Sequence, residues 1–394
     1  MKIRAITLGT DVPFDAGVAG AFLQRAQTAY ARAGFEVQTT RLAGPDLGPR
    51  VDQDPAALAR WAAETEDAAR CAGVGYLSLG RVPATTAGVR FVREQLAPIL
   101  AAGEQAFLSA DLIDGRLPSV AMAAACARAV LDLARSTPLG FGNLRFCATA
   151  HCPPNIPFLP AAYHAGGPPR FAIAVQAADV VQDALRGWDG MSQAEDRLVE
   201  ALETAAAPVE RVANELAAES GYAFVGVDLS PAPFPSDDES IGGALEAAGV
   251  DRFGAPGTLY VAALVARAIR RTRLRRCGFS GVMLPVLEDA VLARRLAEWP
   301  ASLHELLLYS AVCGTGLDTV PLPGDISEAE LAGVYLDVAA LSTALGGKPL
   351  TARLLPVPGG VAGNETAYTF EYFHNSRVLP AAGAGASGVL ARGQ

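Results

Sequence analysis

The chain has 394 residues, of which 51% are hydrophobic and 19% charged, with a formal net charge of −9. That length suits one large domain or two ordinary ones, and the acidic balance argues against a nucleic-acid or anionic-membrane surface. Six cysteines are too sparse for a disulfide scaffold, and no two of them form a CxxC pair.

The first residues, Met1-Lys2-Ile3-Arg4, run directly into a strand-like segment at 3–8, with no apolar signal region. Residues 17–33 have helical spacing, and 35–40 alternate as a second strand. Asp54-Pro55 opens a helix reaching 71, with an N-cap followed by proline in the first turn. A third strand is expected at 76–79, a helix at 86–102 and a fourth strand at 107–110. A buried helix at 117–135 leads to strands at 144–149 and 171–175. Helical sequence reaches 185, and 191–220 is strongly helical. A seventh strand at 223–228 precedes a proline-rich acidic loop and a helix at 257–273. An eighth strand at 279–285, a helix at 289–299 and a ninth strand at 306–310 follow. Ser327 and Glu330 form a capping-box pattern for a helix at 327–345, and 351–356 is a tenth strand. Strand–helix alternation implies α/β architecture with parallel pairing in a large sheet or barrel. No linker divides the chain, so 1–382 is read as a single domain and 383–394 as a flexible tail. The longest uncharged stretch, 146–169, is broken by prolines and is no spanning helix. A soluble cytoplasmic protein is expected, without a nucleic-acid or membrane partner.

Four stretches could carry chemistry. The loop after the ninth strand holds Cys313, Thr315 and Asp318 among glycines, whose backbone can approach a ligand closely. The segment 140–164 gathers Asn143, Arg145, His151, Cys152, Asn155, Tyr163 and His164. In the third, Asp228 ends a strand, while Asp237, Asp238 and Glu239 open a helix. Acids at a helix start are first of all capping groups. With a strand-end aspartate they also suit a hard cation, Mg²⁺ or Ca²⁺, and Glu288 and Asp289 could join them. The fourth, Arg252 to Thr258, sits at a helix entrance, where backbone N–H groups can take an anion. GxxxxGK[ST], a GxGxxG after the first strand, and GxSxG are all absent, so no nucleotide cofactor and no ordinary serine hydrolase is supported.

The stretches GFGNLRFCATAHCPPNIPFLPAAYH, RFGAPGT, GFSGVMLPVLED, CGTGLDTVPLPGD and ARLLPVPGGVAGNETAYTFEYFHNSRV occur here in one order. They resemble the uncharacterised protein family zero-two-one-zero, also described as domain of unknown function seven-eleven. The resemblance implies a fold like that of the pyruvate formate-lyase-like glycyl radical enzymes. That is a ten-stranded α/β barrel of two parallel half-barrels, with helices outside and a loop inserted inside. The Arg-Val-x-Gly-aromatic radical motif is missing, so radical chemistry is not carried over. The family supplies architecture and no substrate.

The function expected is an enzyme on a small polar carbonyl metabolite, of lyase or transferase type. Cys313 is its expected nucleophile or acid/base, with Asp318 and His151 tuning protonation. Asn143, Arg145, Asn155, His164, Arg252 and Thr315 are expected to bind substrate, and Asp228, Asp237 and Asp238 a divalent cation. His151, Asp228, Asp238 and Cys313 are expected to meet in one pocket, because ligands bind beyond the carboxyl ends of parallel strands. The alternative is a non-catalytic binder of a small metabolite. In either case a homo-oligomer, a dimer, is expected.

Overall fold

A computed structural model describes residues 1–187, 190–298, 302–381, 383 and 385–392. Its strands are β1 (Lys2–Gly9), β2 (Thr40–Ala43), β3 (Tyr76–Val82), β4 (Ala106–Asp111), β5 (Ile113–Asp114), β6 (Leu117–Pro118), β7 (Phe146–Ala150), β8 (Arg170–Gln176), β9 (Ala223–Asp228), β10 (Gly316–Pro323) and β11 (Leu350–Val357). Nine of them form one sheet in the order β10-β11-β7-β4-β3-β2-β1-β8-β9, and β5 and β6 pair by themselves. This is a mixed α/β fold around a large, mostly parallel sheet. Every residue of β11, and all but the first of β1 and of β8, is buried. Such continuous burial is what strands covered on both faces require.

The pairing departs from the uniformly parallel expectation at two joints. β1, β2, β3, β4 and β7 run in parallel. β8 is antiparallel to β1 and parallel to β9, and β11 is antiparallel to β7 and parallel to β10. The two outer pairs therefore run against the central five. Alternation of elements predicts neighbours, but not the direction in which a later block joins.

The sheet curls strongly. β1 and β11 stand five steps apart, roughly 24 Å at the usual strand spacing of about 4.8 Å. Side chains stand roughly perpendicular to a sheet, so in a flat sheet Arg4 and Arg353 would not meet. Here both bind the Glu288 carboxylate, at 2.8 and 2.7 Å. The expected eighth strand, 279–285, is not a regular strand. Its neighbourhood makes isolated parallel bridges instead, Arg276 to Val227 beside β9 and Pro285 to Asp318 on β10. Val227 N donates to Arg275 O, Cys277 N to Val227 O, and Val286 N to Asp318 O.

Helix ends follow local chemistry. Asp54 caps Pro55–Cys71, and Ser327 with Glu330 closes the expected capping box on Glu328–Ala344. Met191–Ser220 matches its expected range and stops at Gly221, whose positive φ of 73° ends the helix at low cost. The expected strand at 306–310 is wrong. Leu303–Ser310 is a helix with its own capping box from Ser302 and Glu305. Leu303, Leu306, Tyr309 and Ser310 are buried, a helical spacing that the short apolar run concealed. The second strand begins at Thr40, later than expected, with Val37 alone bridging Ile3 before it. The expected helix at 289–299 is Ala290–Glu298, and its last residue lies outside the described residues. So do residues 382, 384, 393 and 394 around the expected tail. Within that tail Ser387–Leu390 is a helical turn, and Ala386 N donates to Ala329 O. No helix among the described residues is long and apolar enough to cross a membrane.

Candidate functional site

Curling gives the sheet an inner face, and that face encloses a cavity of about 450 Å³. Seven strands contribute side chains to its wall: Arg4 from β1, Arg41 from β2, Tyr76 from β3, Phe107 from β4, Cys147 from β7, Thr351 and Arg353 from β11, and Asp318 from β10. Glu288, from the loop that passes beside β10, joins them. The volume falls in the range of small-molecule sites.

Its charges are arranged unequally. Arg353 sends Nε to Asp318 Oδ1 at 2.6 Å and a terminal nitrogen to Glu288 Oε1 at 2.7 Å. Arg4 takes the other Glu288 oxygen. Two arginines and two carboxylates thus form one paired row, which raises the Arg353 guanidinium above its ordinary range despite burial. Burial pushes the Asp318 carboxyl up; Arg353 opposes that, and the adjacent Glu288 charge adds to it.

Arg41 stands outside this pairing. It is 8% exposed, its Nε donates to Thr39 Oγ1 at 2.9 Å, and it has no carboxylate partner among the described residues. The Tyr76 ring lies 5.9 Å from its guanidinium. Burial first, and then the Arg4 cation, push Arg41 down to about 9. An arginine keeps its proton even so at neutral pH, so the cavity holds an uncompensated cation. Two further polar atoms on its wall lack a partner among the described residues: Thr315 Oγ1 and Gln38 Oε1, both buried.

The expected site residues divide. Asp318, Thr315 and Arg145 line the cavity. Arg145 also caps a helix end, donating to Leu100 O and Gly103 O at 2.6 and 2.8 Å. Asn143 is fully buried behind the wall and ties the turn at 138–145 to Val130 O. Asn155 and His164 bind each other at 3.2 Å, and His164 reaches Gly167 O, clamping their own loop. Arg252 is half-buried in the turn before Thr258–Arg271, outside the cavity.

The expected meeting of His151, Asp228, Asp238 and Cys313 does not occur in this cavity. His151 Nδ1 lies 2.9 Å from Ser342 Oγ, which donates to Lys348 O; the imidazole is therefore the donor, and it holds a loop. Cys313 is 1% exposed, follows a helix end and packs in the apolar core. It borders a different cavity, with Lys348 and Arg270. Asp228 accepts from Ser230 N, Ser230 Oγ, Phe279 N and Ser280 N, so its oxygens are occupied by donors rather than open to a cation. Asp237 is exposed and pairs with Arg294 at 2.6 Å, and Asp238 is exposed. Among the described residues no three His, Cys, Asp or Glu side chains converge as a metal cage. The direction of β9 explains much of this, since it runs against β7 and carries Asp228 away from the end where His151 follows.

Sequence reading missed Arg4, Arg41 and Arg353. A signal existed: each is the one charged residue in its stretch, IRAITL, TRLA and ARLLPV. A charge inside a doubly covered strand needs a partner or a ligand.

Comparison with known proteins agrees with the motif resemblance. Residues 1–370 match the family described as Uncharacterised ACR (DUF711). A UPF0210 protein of Pyrobaculum aerophilum is 40% identical over 231 residues, covering 56% of this chain and 51% of the relative. One of Methanopyrus kandleri is 32% identical over 248 residues, covering 61% and 54%. One of Desulfovibrio desulfuricans is 28% identical over 342 residues, covering 80% and 73%. The matched part spans about half the length of the first two relatives. With its family match running through the cavity-lining strands to residue 370, the chain belongs to the uncharacterised DUF711 family.

Proposed function

We propose that the cavity binds a small carbonyl metabolite bearing a carboxylate, and that the chain is an enzyme acting on it, of lyase or transferase type. The observation that carries the anion is Arg41, a buried cation whose terminal nitrogens have no hydrogen-bonded acid among the described residues, Glu288 acting on it only through space. An entering carboxylate supplies the missing partner in a two-pronged contact. The catalytic part rests on Asp318, whose raised carboxyl faces the cavity and is placed to exchange a proton with a bound ligand. Arg4 and Arg353, held by Glu288, suit charge developing on a carbonyl oxygen. Cys313 and His151 have no part in this reading, and neither does a glycyl radical.

The architecture proposed for this site is a closed barrel with the segment 275–287 as its tenth position. Support comes from its backbone hydrogen bonds to both β9 and β10 and from the curvature that Glu288 requires. Five positions would then run each way, as the family resemblance implies.

Titration calorimetry with acetate, succinate, pyruvate, 2-oxoglutarate and inorganic phosphate tests the anion site. At least one of them is expected to bind, and Arg41→Gln is expected to remove that binding. Equal binding by a folded Arg41→Gln protein overturns the reading. Proton NMR of the same mixtures tests turnover. Binding without turnover favours a non-catalytic metabolite binder, which the distance of Cys313 and His151 from the cavity already makes the second reading.

A further inference from the structure

We infer that the ligand is an aromatic carboxylic acid carrying a hydrogen-bond donor next to its carboxylate, a 2-hydroxy or 2-amino acid. This rests on the reading of the cavity as an anion site and departs from its carbonyl part: the group beside the carboxylate donates rather than accepts. The carboxylate belongs on Arg41, whose Nε is held by Thr39 while its terminal nitrogens are left for a planar, two-oxygen partner. The donor belongs on Gln38, three residues away in the same segment. Its Oε1, shielded in the wall as the side chain stands, has no partner among the described residues and can only accept, so an amide turned toward the cavity meets a donor there.

The aromatic body follows from the rest of the wall. Tyr372 lies with its ring 5.6 Å from the Arg4 guanidinium and 5.1 Å from Phe370, and Phe370 is 5.2 Å from Phe141. Tyr372, Phe370 and Phe141 all line the cavity, so a continuous run of rings leads away from its charged part. The Phe141–Phe370 and Phe370–Tyr372 pairs meet edge to face. Phe141 and Phe370 also pack edge to face on Phe373, so the surface that takes a further aromatic group is the part lining the cavity. A short dianion would satisfy Arg41 and leave this surface facing water. On the opposite side Thr315 adds an independent sign of a ligand. It is 3% exposed, its hydroxyl has no partner among the described residues, and it stands just before β10, five positions from β2 in the sheet. A polar atom on the far part of the ligand would complete it.

The test is calorimetry on the full chain with 3-phenyllactate, 3-phenylpropionate, lactate, succinate and inorganic phosphate. 3-Phenyllactate is expected to bind at least about tenfold more tightly than lactate, since burying a ring is worth that much or more. It is expected to beat 3-phenylpropionate, which lacks the donor, by roughly tenfold. Gln38→Met should bring 3-phenyllactate and 3-phenylpropionate to equal affinity, and Arg41→Gln should weaken both by about tenfold or more. Melting curves establish that each variant is folded, and either variant alone suffices. If lactate or succinate binds as tightly as 3-phenyllactate, the aromatic inference falls while the anion site stands. If 3-phenylpropionate equals 3-phenyllactate in the wild type, the donor assignment falls, and the inference with it. If none of the five binds, this inference falls, and the anion site falls with it when acetate, pyruvate and 2-oxoglutarate fail as well.

Discussion

Two buried charged regions of this molecule behave in opposite ways. At the end of β9, Asp228 receives four hydrogen bonds from Ser230, Phe279 and Ser280. Asp289 likewise receives four, from Ser240, Ile241, Gly242 and Leu292. These carboxylates are finished: every contact is internal, and their work is to pin loops to strands and to start helices. The cavity is unfinished. Its paired row is complete, but Arg41, Thr315 and Gln38 each keep an open valence. Both regions bury ionisable groups, so burial by itself does not mark a site. What marks it is polar capacity that the chain leaves unfilled.

Substitutions can break or sharpen this contrast. The largest effect is expected at Asp228→Ala. Orphaned buried donors cost about 1–3 kcal/mol each, so a loss on the order of 3–5 kcal/mol is expected in denaturant unfolding. A loss under about 1 kcal/mol would show the hydrogen bonds at the end of β9 to be dispensable. Next is Glu288→Gln, which leaves Arg4 and Arg353 buried with a weaker acceptor. A destabilisation of about 2–3 kcal/mol is expected, and an unchanged melting curve would contradict the paired row.

Arg41→Met should behave differently. Removing an uncompensated buried cation is expected to leave stability within about 1 kcal/mol of wild type, or to raise it. If the variant instead unfolds as readily as Glu288→Gln, then Arg41 is a structural group, and the contrast between the two regions collapses.

Asp318 gives the contrast a pH dependence. Its folded-state value is raised above the unfolded value of about 4. Between those two values the folded state keeps a proton that the unfolded state has released, so stability falls as pH rises through that window. Melting temperatures of wild type and Asp318→Asn, compared from pH 4 to 7, should show a steeper fall in the wild type, because Asp111, Asp228 and Asp289, which burial also raises, contribute a fall in both. The smallest effect is expected at Asp237→Ala. The acid is exposed and its partner Arg294 only partly covered, so about 0.5 kcal/mol or less is at stake. The response of its melting temperature to added Mg²⁺ should match the wild type. A lost response would restore the acidic loop as a cation site.

Much of the fold could be read directly. Asp54-Pro55, Ser327 with Glu330, and Gly221 after a long helical run are local signals, and each sets a helix end where expected. The misreading at 306–310 came from a run too short and too apolar for its period to show. The candidate site was legible only in part. Thr315, Asp318 and Arg145 were found because they lie in unusual loops or beside strands. Cys313 and His151 were singled out as chemically able residues, yet one is packed in the core and the other holds Ser342. Reactive residue types in a loop do not reveal whether their capacity is already used.

The sequence by itself determined the α/β alternation, the helix caps and the burial of the strands. These depend on neighbours within a few residues, or on the hydropathy of one segment. Only the tertiary structure decided that β8–β9 and β10–β11 join the central strands in reverse, and that the sheet curls until Arg4 and Arg353 share Glu288. Those contacts link residues 284 and 65 positions apart. No local propensity encodes them; they come from the packing of the whole sheet, and the same packing leaves Arg41 alone.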